Sequence, residues 1–81
     1  MNSVYIIIEN GEPYQTVYRL FSSAVAAVKE KYAEIIDREI KEANGEPICS
    51  ELDTPENTVS GKTYLYVEKG IHIYIVHCAV N

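Results

Sequence analysis

A chain of 81 residues, 47% of them hydrophobic and 23% charged, can form one folded domain with a thin hydrophobic core. The formal net charge is −5, from 12 acidic and 7 basic residues, and this excess of carboxylates disfavours binding to nucleic-acid phosphates. The charge is compatible with a protein partner that carries a basic surface, and equally with simple solubility. The first residues do not resemble a signal peptide and no apolar run is long enough to span a bilayer, so we expect a cytoplasmic protein.

The first residues predict a β-hairpin. The run from Val4 to Ile8 is β-branched and aromatic, as expected of a strand. Asn10-Gly11 follows this run and predicts a tight turn, because both residues tolerate positive φ. The return strand would cover residues 14–20, and Pro13 marks it as an edge strand because proline cannot donate a backbone hydrogen bond. Alternation predicts two sets of residues on opposite faces of the first strand. The core set is Val4, Ile6 and Ile8, and the set on the other face is Tyr5 and Ile7.

A single long helix is predicted after this hairpin. Either Ser22 or Ser23 would cap its start, and Asn44-Gly45 would end it in the left-handed conformation. At 1.5 Å per residue the helix would be about 33 Å long, so its last turn would extend beyond the strands beneath it. Apolar residues spaced three and four apart form the stripe that would face the sheet. They are Val25, Val28, Tyr32, Ile35, Ile36, Ile40 and Ala43.

Residues 46–62 show neither helical nor strand periodicity and predict a long acidic loop. Ile48 and Leu52 are the residues that would anchor it to the core. Cys49 and Cys78 are too few and too far apart for a metal motif or a redox CxxC pair. A disulfide between them stays open, although a reducing compartment favours free thiols. The carboxylates of the loop are Glu46, Glu51, Asp53 and Glu56.

The second hairpin, over residues 63–76, is the most informative segment. Two β-rich runs flank Glu68-Lys69-Gly70, and a three-residue loop with Gly70 in the left-handed conformation sets their register. That register places Leu65 opposite Ile73 and Val67 opposite Ile71 on the core face. A two-residue loop would instead mix the faces. The opposite face then carries Tyr64, Tyr66, His72, Tyr74 and Val76, with Tyr64 opposite Tyr74 and Tyr66 opposite His72.

These elements predict a single α+β domain over residues 1–81, with the order ββαββ. A mostly antiparallel sheet of four strands would be covered on one face by the one long helix. The other face would stay open, and an exposed apolar-aromatic patch on a small protein usually marks an interface. We expect the tyrosines to anchor a protein partner and the loop carboxylates to steer a basic surface towards them. The predicted partner-binding residues are Tyr5, Tyr64, Tyr66, His72, Tyr74, Glu51, Asp53 and Glu56.

The sequence contains no pattern that predicts catalysis. His72 and His77 are five residues apart in one strand, so they point to opposite faces and cannot bind one metal together. Glu51 and Asp53 lie close in sequence, but without a fixed histidine, lysine or metal beside them they are typical of a solvated loop. We therefore expect a protein that is not an enzyme, with no cofactor and no metal.

The runs VYIIIENG and YRLFSSAVAAVKEKY, between Val4 and about Ile40, resemble a loose class of small accessory proteins encoded by phages and mobile elements. The resemblance implies stoichiometric binding, in the manner of the anti-CRISPR proteins that block host-defence nucleases, and it carries over no residue-level function. Two alternatives stay open. The tyrosine face could be the seam of a structural homodimer, or tyrosines of two protomers could stack on a nucleotide-like ligand. Stacking on single-stranded nucleic acid would require more basic residues than Lys62 and Lys69.

Overall fold

The four strands form one antiparallel sheet with the strand order β2-β1-β4-β3. The computed structural model describes residues 2–46, 48 and 50–80, and the side chains of residues 3–46, 48 and 50–79. It confirms the α+β class and the four-stranded antiparallel sheet, but the element order is ββααββ, with two helices in place of the one predicted. The elements are β1 (Asn2–Glu9), β2 (Glu12–Tyr18), α1 (Phe21–Lys31), α2 (Ala33–Ala43), β3 (Lys62–Glu68) and β4 (Ile71–Val80).

The first hairpin turns at Asn10 and Gly11, whose φ angles of 50° and 87° confirm the predicted tight turn. β2 is an edge strand, as Pro13 predicted, and its pairing with β1 is irregular. Pro13 pairs with Ile8 and Val17 pairs with Ile6, so three residues of β2 lie opposite one residue of β1. This bulge bends the outer strand at the edge of the sheet.

The predicted single helix is interrupted at Tyr32, where φ is −109° and ψ is 20°. The hydrogen-bond ladder continues through the break: the Tyr32 amide donates to the Val28 carbonyl at 3.1 Å, and the Tyr32 carbonyl accepts from the Ile36 amide at 3.0 Å. The start of the helix also differs from the prediction. α1 begins at Phe21 with Leu20 as its N-cap and no side-chain capping bond, so Ser22 and Ser23 lie inside the first turn. Its end is as predicted, with Asn44 and Gly45 at φ angles of 50° and 91°.

The two helices relate differently to the sheet. α1 packs on β1, β2 and β4, and its Ala24 and Val28 are fully buried. α2 packs on no strand to a comparable extent and contains no buried residue, although the prediction had only its last turn beyond the sheet. The protein is correspondingly elongated, with extents of 48 × 24 × 19 Å. Neither helix in the described part of the chain is long and apolar enough to cross a bilayer.

The predicted faces of β1 are wrong. Ile7 is fully buried, because it pairs with the buried Ile75 of β4 beneath α1. Tyr5 also lies on the helix side, where its ring meets the Phe21 ring edge-on at 5.9 Å. The three residues assigned to the core instead lie on the side away from the helices and are half-buried: Val4, Ile6 and Ile8. The core consists of Ile7, Ala24, Val28, Tyr32, Leu52, Leu65, Val67, Ile73 and Ile75.

The connection between α2 and β3 covers the outer edge of β3. Glu51 donates its amide to the Tyr66 carbonyl at 2.7 Å and accepts from the Tyr66 amide at 3.2 Å. The Ser60 hydroxyl bonds both backbone groups of Lys62, at 3.1 and 3.2 Å. Leu52 anchors the connection in the core, as predicted, and Ile48 is half-buried. Pairing of Cys49 with Cys78 lies outside the described residues.

Candidate functional site

The second hairpin has the predicted register over most of its length. Gly70 adopts the predicted left-handed conformation, with φ of 89°. Beside the turn the register shifts, so that Glu68 rather than Val67 pairs with Ile71. The loop therefore contains two residues, Lys69 and Gly70, and not the predicted three; the irregularity between Tyr66 and Glu68 absorbs the difference. Val67 is nevertheless fully buried and Ile71 packs against the core, so the shift does not reverse the faces. Three predicted pairs are confirmed: Leu65 with Ile73, Tyr66 with His72, and Tyr64 with Tyr74.

The side of the sheet away from the helices is a continuous, mostly uncharged surface, which we call the open face. Directly paired residues of neighbouring strands share a face, so the pairs Ile6–Val76 and Ile8–Tyr74 join the face of β1 to that of β4. Its β2–β1 half is aliphatic and its β4–β3 half is mostly aromatic. The described residues that strand pairing places on the open face are Val4, Ile6, Ile8, Pro13, Val17, Lys62, Tyr64, Tyr66, His72, Tyr74, Val76 and Cys78.

The aromatic half of the open face is held together by ring contacts. The Tyr64 hydroxyl and His72 Nδ1 are hydrogen-bonded at 2.6 Å, and the Tyr64 and Tyr74 ring centroids are 5.2 Å apart. The Tyr66 ring lies 6.0 Å from the His72 ring, and the Lys62 ammonium sits 4.5 Å above the centre of the Tyr74 ring. These separations suit offset and tilted aromatic pairs and a cation–π contact. The rings therefore present a partly ordered surface to any binding partner.

Asn10 braces this surface from the first hairpin. Its side-chain oxygen accepts the His72 amide at 2.9 Å, and its side-chain nitrogen donates to the Gly70 carbonyl at 2.8 Å. Its own amide donates to the His72 carbonyl at 2.9 Å. One residue in the first turn thus fixes the backbone of His72 and of the second turn.

The eight predicted partner-binding residues do not form one surface. Tyr64, Tyr66, His72 and Tyr74 come together on the open face. Tyr5 lies on the helix side and donates its hydroxyl to Glu56 at 2.9 Å, and this hydrogen bond to a carboxylate raises the pKa of Tyr5. Asp53 is also on the helix side, where it pairs with Lys29 at 2.5 Å. Glu51 sits at the outer edge of β3.

Charge is segregated between the two sides of the sheet. Among the described strand residues of the open face, the one formally charged residue is Lys62. The one carboxylate that strand pairing brings to this face is that of Glu51 in the connection, which is paired with Tyr66 at the rim. The acidic residues lie at the turns, on the helices and in the connection instead. They are Glu9, Glu12, Glu30, Glu34, Asp37, Glu39, Glu42, Glu46, Glu51, Asp53, Glu56 and Glu68.

Sequence reasoning missed a polar cluster on the helix side, around Glu9. One oxygen of Glu9 accepts the Tyr14 hydroxyl at 2.7 Å, the Tyr32 hydroxyl at 2.5 Å and the Lys31 ammonium at 3.0 Å. The ammonium also lies over both rings, 4.7 Å from the centre of the Tyr14 ring and 5.3 Å from that of Tyr32. The cluster joins the tip of the first hairpin to the junction of α1 and α2. No spacing in the sequence connects residue 9 with residues 31 and 32, so no local signal could have revealed it.

The contacts within this cluster favour the charged form of Glu9 and the neutral forms of Tyr14 and Tyr32. Burial opposes the charge on Glu9, but hydrogen bonds from Tyr14, Tyr32 and Lys31 outweigh it and lower the pKa of Glu9. Burial, followed by the bond to Glu9, raises the pKa of Tyr32 to about 12 and raises the pKa of Tyr14 further. Each donor is satisfied by a partner within the cluster. We therefore interpret it as a clamp between helix and sheet.

Open cavities occur on the helix side and beside β3. One of about 300 Å³ lies between α1 and the connection and includes Phe21 in its lining, and one of about 360 Å³ lies between α2 and the connection and includes Ile40. A third, of about 580 Å³, lies outside β3 next to Glu51. Among the described residues, no group of three or more His, Cys, Asp or Glu side chains could hold a metal ion.

Comparison of the chain with protein-family models, with curated proteins and with solved structures gives no match.

Proposed function

We propose that this protein is a non-catalytic interaction domain that binds a protein partner through the open face. The observation that carries the proposal is the composition of that face: mostly aliphatic and aromatic residues over four strands, with Lys62 as the one formally charged residue among its described strand positions. The core of a protein–protein interface is likewise depleted in charge and enriched in tyrosine. A contiguous apolar surface of this kind on a small domain is typical of an interaction site.

The edges of the sheet support binding through the face rather than through strand addition. The outer edge of β3 is occupied at Tyr66 by Glu51 and at Lys62 by Ser60. The outer edge of β2 carries Pro13 and a bulge. Proline, bulges and covering segments are the devices by which proteins prevent another strand from pairing with an edge. The backbone is thus protected while the open face is left apolar.

The tyrosines are suited to act as anchors. Tyr64, Tyr66 and Tyr74 each contact another ring of the cluster, so binding would restrict less side-chain motion than it would for isolated side chains. The exposed fraction of Tyr64 is 40%, which leaves much of its ring available for burial by a partner. Buried tyrosines are among the residues that contribute most to interfaces.

The charge distribution favours a partner surface that is apolar and uncharged. Of the three predicted loop carboxylates, only that of Glu51 lies at the rim of the open face, while those of Asp53 and Glu56 are engaged on the helix side. We therefore revise the expected partner chemistry from basic to apolar. The resemblance to phage and mobile-element proteins leads to a narrower form of the proposal, in which the domain inhibits a host-defence or nucleic-acid-handling protein by occupying its surface.

The test is a triple substitution, Tyr64→Ser, Tyr66→Ser and Tyr74→Ser, assayed against a partner isolated with the wild-type protein. We expect the affinity to fall at least about 100-fold, because anchor tyrosines each contribute roughly 2 kcal/mol. A control carries Ile40→Ser and Val59→Ser, which remove exposed apolar side chains outside the open face and should not change the affinity. Circular dichroism establishes that both variants fold. Unchanged affinity in a folded triple variant would refute the proposal.

A further inference from the structure

We infer that a second copy of this chain occupies the open face, forming a reversible two-fold dimer in which the sheets pack face to face. The inference rests on the proposed function in one respect, namely that the open face is a contact surface. It goes further by naming the occupant. Three properties of the described residues favour a second copy: where the charges lie, how the face is composed, and how large it is.

The position of the carboxylates selects this mode of pairing. Each chain carries a net charge of −5, so two copies repel one another wherever acidic surfaces approach. Helices and connection together hold nine of the twelve acidic residues, and no described strand residue of the open face is acidic. Glu51 of the connection lies at the rim of that face, beside Tyr66. Packing the two open faces together places the helix layers, with their carboxylates, on the outside of the dimer. Any pairing through the helix side would instead bring like charges together, and that is destabilising.

The composition of the face is self-complementary. In a two-fold dimer the same patch meets itself, so every part of it must tolerate its own symmetry partner. Both halves of the open face are apolar, whether aliphatic around Ile6 or aromatic around Tyr74. A two-fold axis parallel to the sheets, whether it runs along the strands or across them, therefore sets apolar side chains against apolar side chains. The charge of Lys62 lies over the Tyr74 ring at one end of β3.

The size of the face indicates a dimer that dissociates readily. Four strands about 4.8 Å apart and about 23 Å long give a flat area of about 440 Å² per protomer, or about 900 Å² in total. The side chains that project from the sheet add to this flat area. Even so, the total does not clearly exceed the lower end of the range for stable interfaces, about 1,200–2,000 Å². We therefore expect a dissociation constant in the micromolar range. Such a dimer would compete with a heterologous partner for the same face.

The experiment is sedimentation velocity of the full chain from about 1 µM to about 500 µM, a range that spans micromolar dissociation constants. The matched variants are Val17→Lys on the open face and Ile40→Lys on α2. Their exposed fractions are 52% and 53%, so both substitutions add one positive charge at an equally exposed apolar position. Tyr64→Lys provides an independent change on the aromatic half, so the test does not depend on one variant folding. Thermal unfolding at the lowest concentration measures the stability of each monomer.

We expect the wild-type protein to shift from monomer to dimer as the concentration rises. Val17→Lys and Tyr64→Lys should each weaken dimerisation at least about tenfold, because a lysine would be desolvated at the seam, while Ile40→Lys should behave as wild type. A wild-type protein that stays monomeric at the highest concentration overturns the inference but leaves the proposed function standing. Loss of the dimer in Ile40→Lys but not in Val17→Lys overturns it by placing the seam on α2.

Discussion

The two faces of the sheet use tyrosine in different ways. On the helix side, the hydroxyls of Tyr14 and Tyr32 donate to Glu9, and that of Tyr5 donates to Glu56. On the open face the rings lie against one another and against His72, and no hydrogen bond between described residues joins them to a carboxylate. A phenol packed beneath a helix needs a protein acceptor for its hydroxyl, whereas a phenol beside water does not. A carboxylate acceptor thus distinguishes Tyr5, Tyr14 and Tyr32, which stabilise the fold, from the tyrosines of the open face.

The sharpest test of this difference uses two adjacent residues, Ile6 and Ile7, on opposite faces of β1. Ile7→Ala removes a fully buried side chain from the core and should lower the free energy of unfolding by about 2–5 kcal/mol. Ile6→Ala removes the same atoms from the half-buried open face and should cost about 1 kcal/mol or less in the monomer. Urea unfolding of dilute protein measures both. Equal losses would show that the open face contributes to the fold as much as the core does.

The next largest effect concerns the clamp on the helix side. Glu9→Gln keeps the shape of the side chain but removes the charge that accepts three hydrogen bonds, so we expect a loss of about 1.5–3 kcal/mol in the free energy of unfolding. Glu12→Gln is the matched control, since Glu12 is the exposed residue paired with Glu9 across the turn. It should change stability by less than about 0.5 kcal/mol. A similar loss in both variants would contradict the role of the clamp.

The clamp also predicts how stability depends on pH. The pKa of Glu9 in the folded protein lies below its ordinary value of 4.5, so its contribution is complete above that pH and is lost as the pH falls through the lower folded pKa. The pKa of Tyr32 is raised from 10.0 to about 12, so its contribution is complete below pH 10.0 and is lost as the pH rises towards 12. Unfolding curves should therefore show a smaller acid loss in Glu9→Gln and a smaller alkaline loss in Tyr32→Phe than in wild type. Unaltered profiles would rule out these assignments.

The smallest effect tests the brace between the hairpins. Asn10→Gly retains a residue suited to the φ of 50° but removes the side-chain bonds to His72 and Gly70, and it should cost about 1 kcal/mol. Asn10→Ala should cost more, because alanine is also strained at this φ. Hydrogen exchange of the His72 amide gives the local readout, since its acceptor is the Asn10 side chain. The amide should exchange faster in both variants, and an unchanged rate would show that the brace does not order the open face.

The candidate site could be predicted in part. Alternation in the second hairpin placed Tyr64, Tyr66 and Tyr74 on the open face, because its apolar and aromatic residues occupy alternate positions. The aliphatic half could not be predicted in this way. Every position from Val4 to Ile8 is apolar or aromatic, so the sequence of this strand is equally compatible with either face being buried. Pairing with β4 selected the phase and so brought the aliphatic half into the site.

The helix break at Tyr32 is a second feature that the local sequence does not specify. Neither proline nor glycine occurs between Phe21 and Ala43, and the apolar stripe runs through the break. Tyr32 is instead bonded to Glu9, a residue that only the fold brings near. The predicted serine cap fails for a related reason, since packing of Phe21 against Tyr5 draws the first turn of α1 onto the sheet.

The sequence alone determined the local conformations: the turns at Asn10-Gly11 and Gly70, the end of the helix at Asn44, and the antiparallel hairpins that make up the sheet. These depend on φ preferences and short-range spacing, which neighbouring residues set. Only the tertiary structure decided which face of β1 is buried, where the helix breaks and which carboxylates are engaged. Those outcomes depend on contacts between residues far apart in the chain. Ile7 meets Ile75 only once β1 pairs with β4, and Glu9 meets Tyr32 only once the helices pack on the sheet.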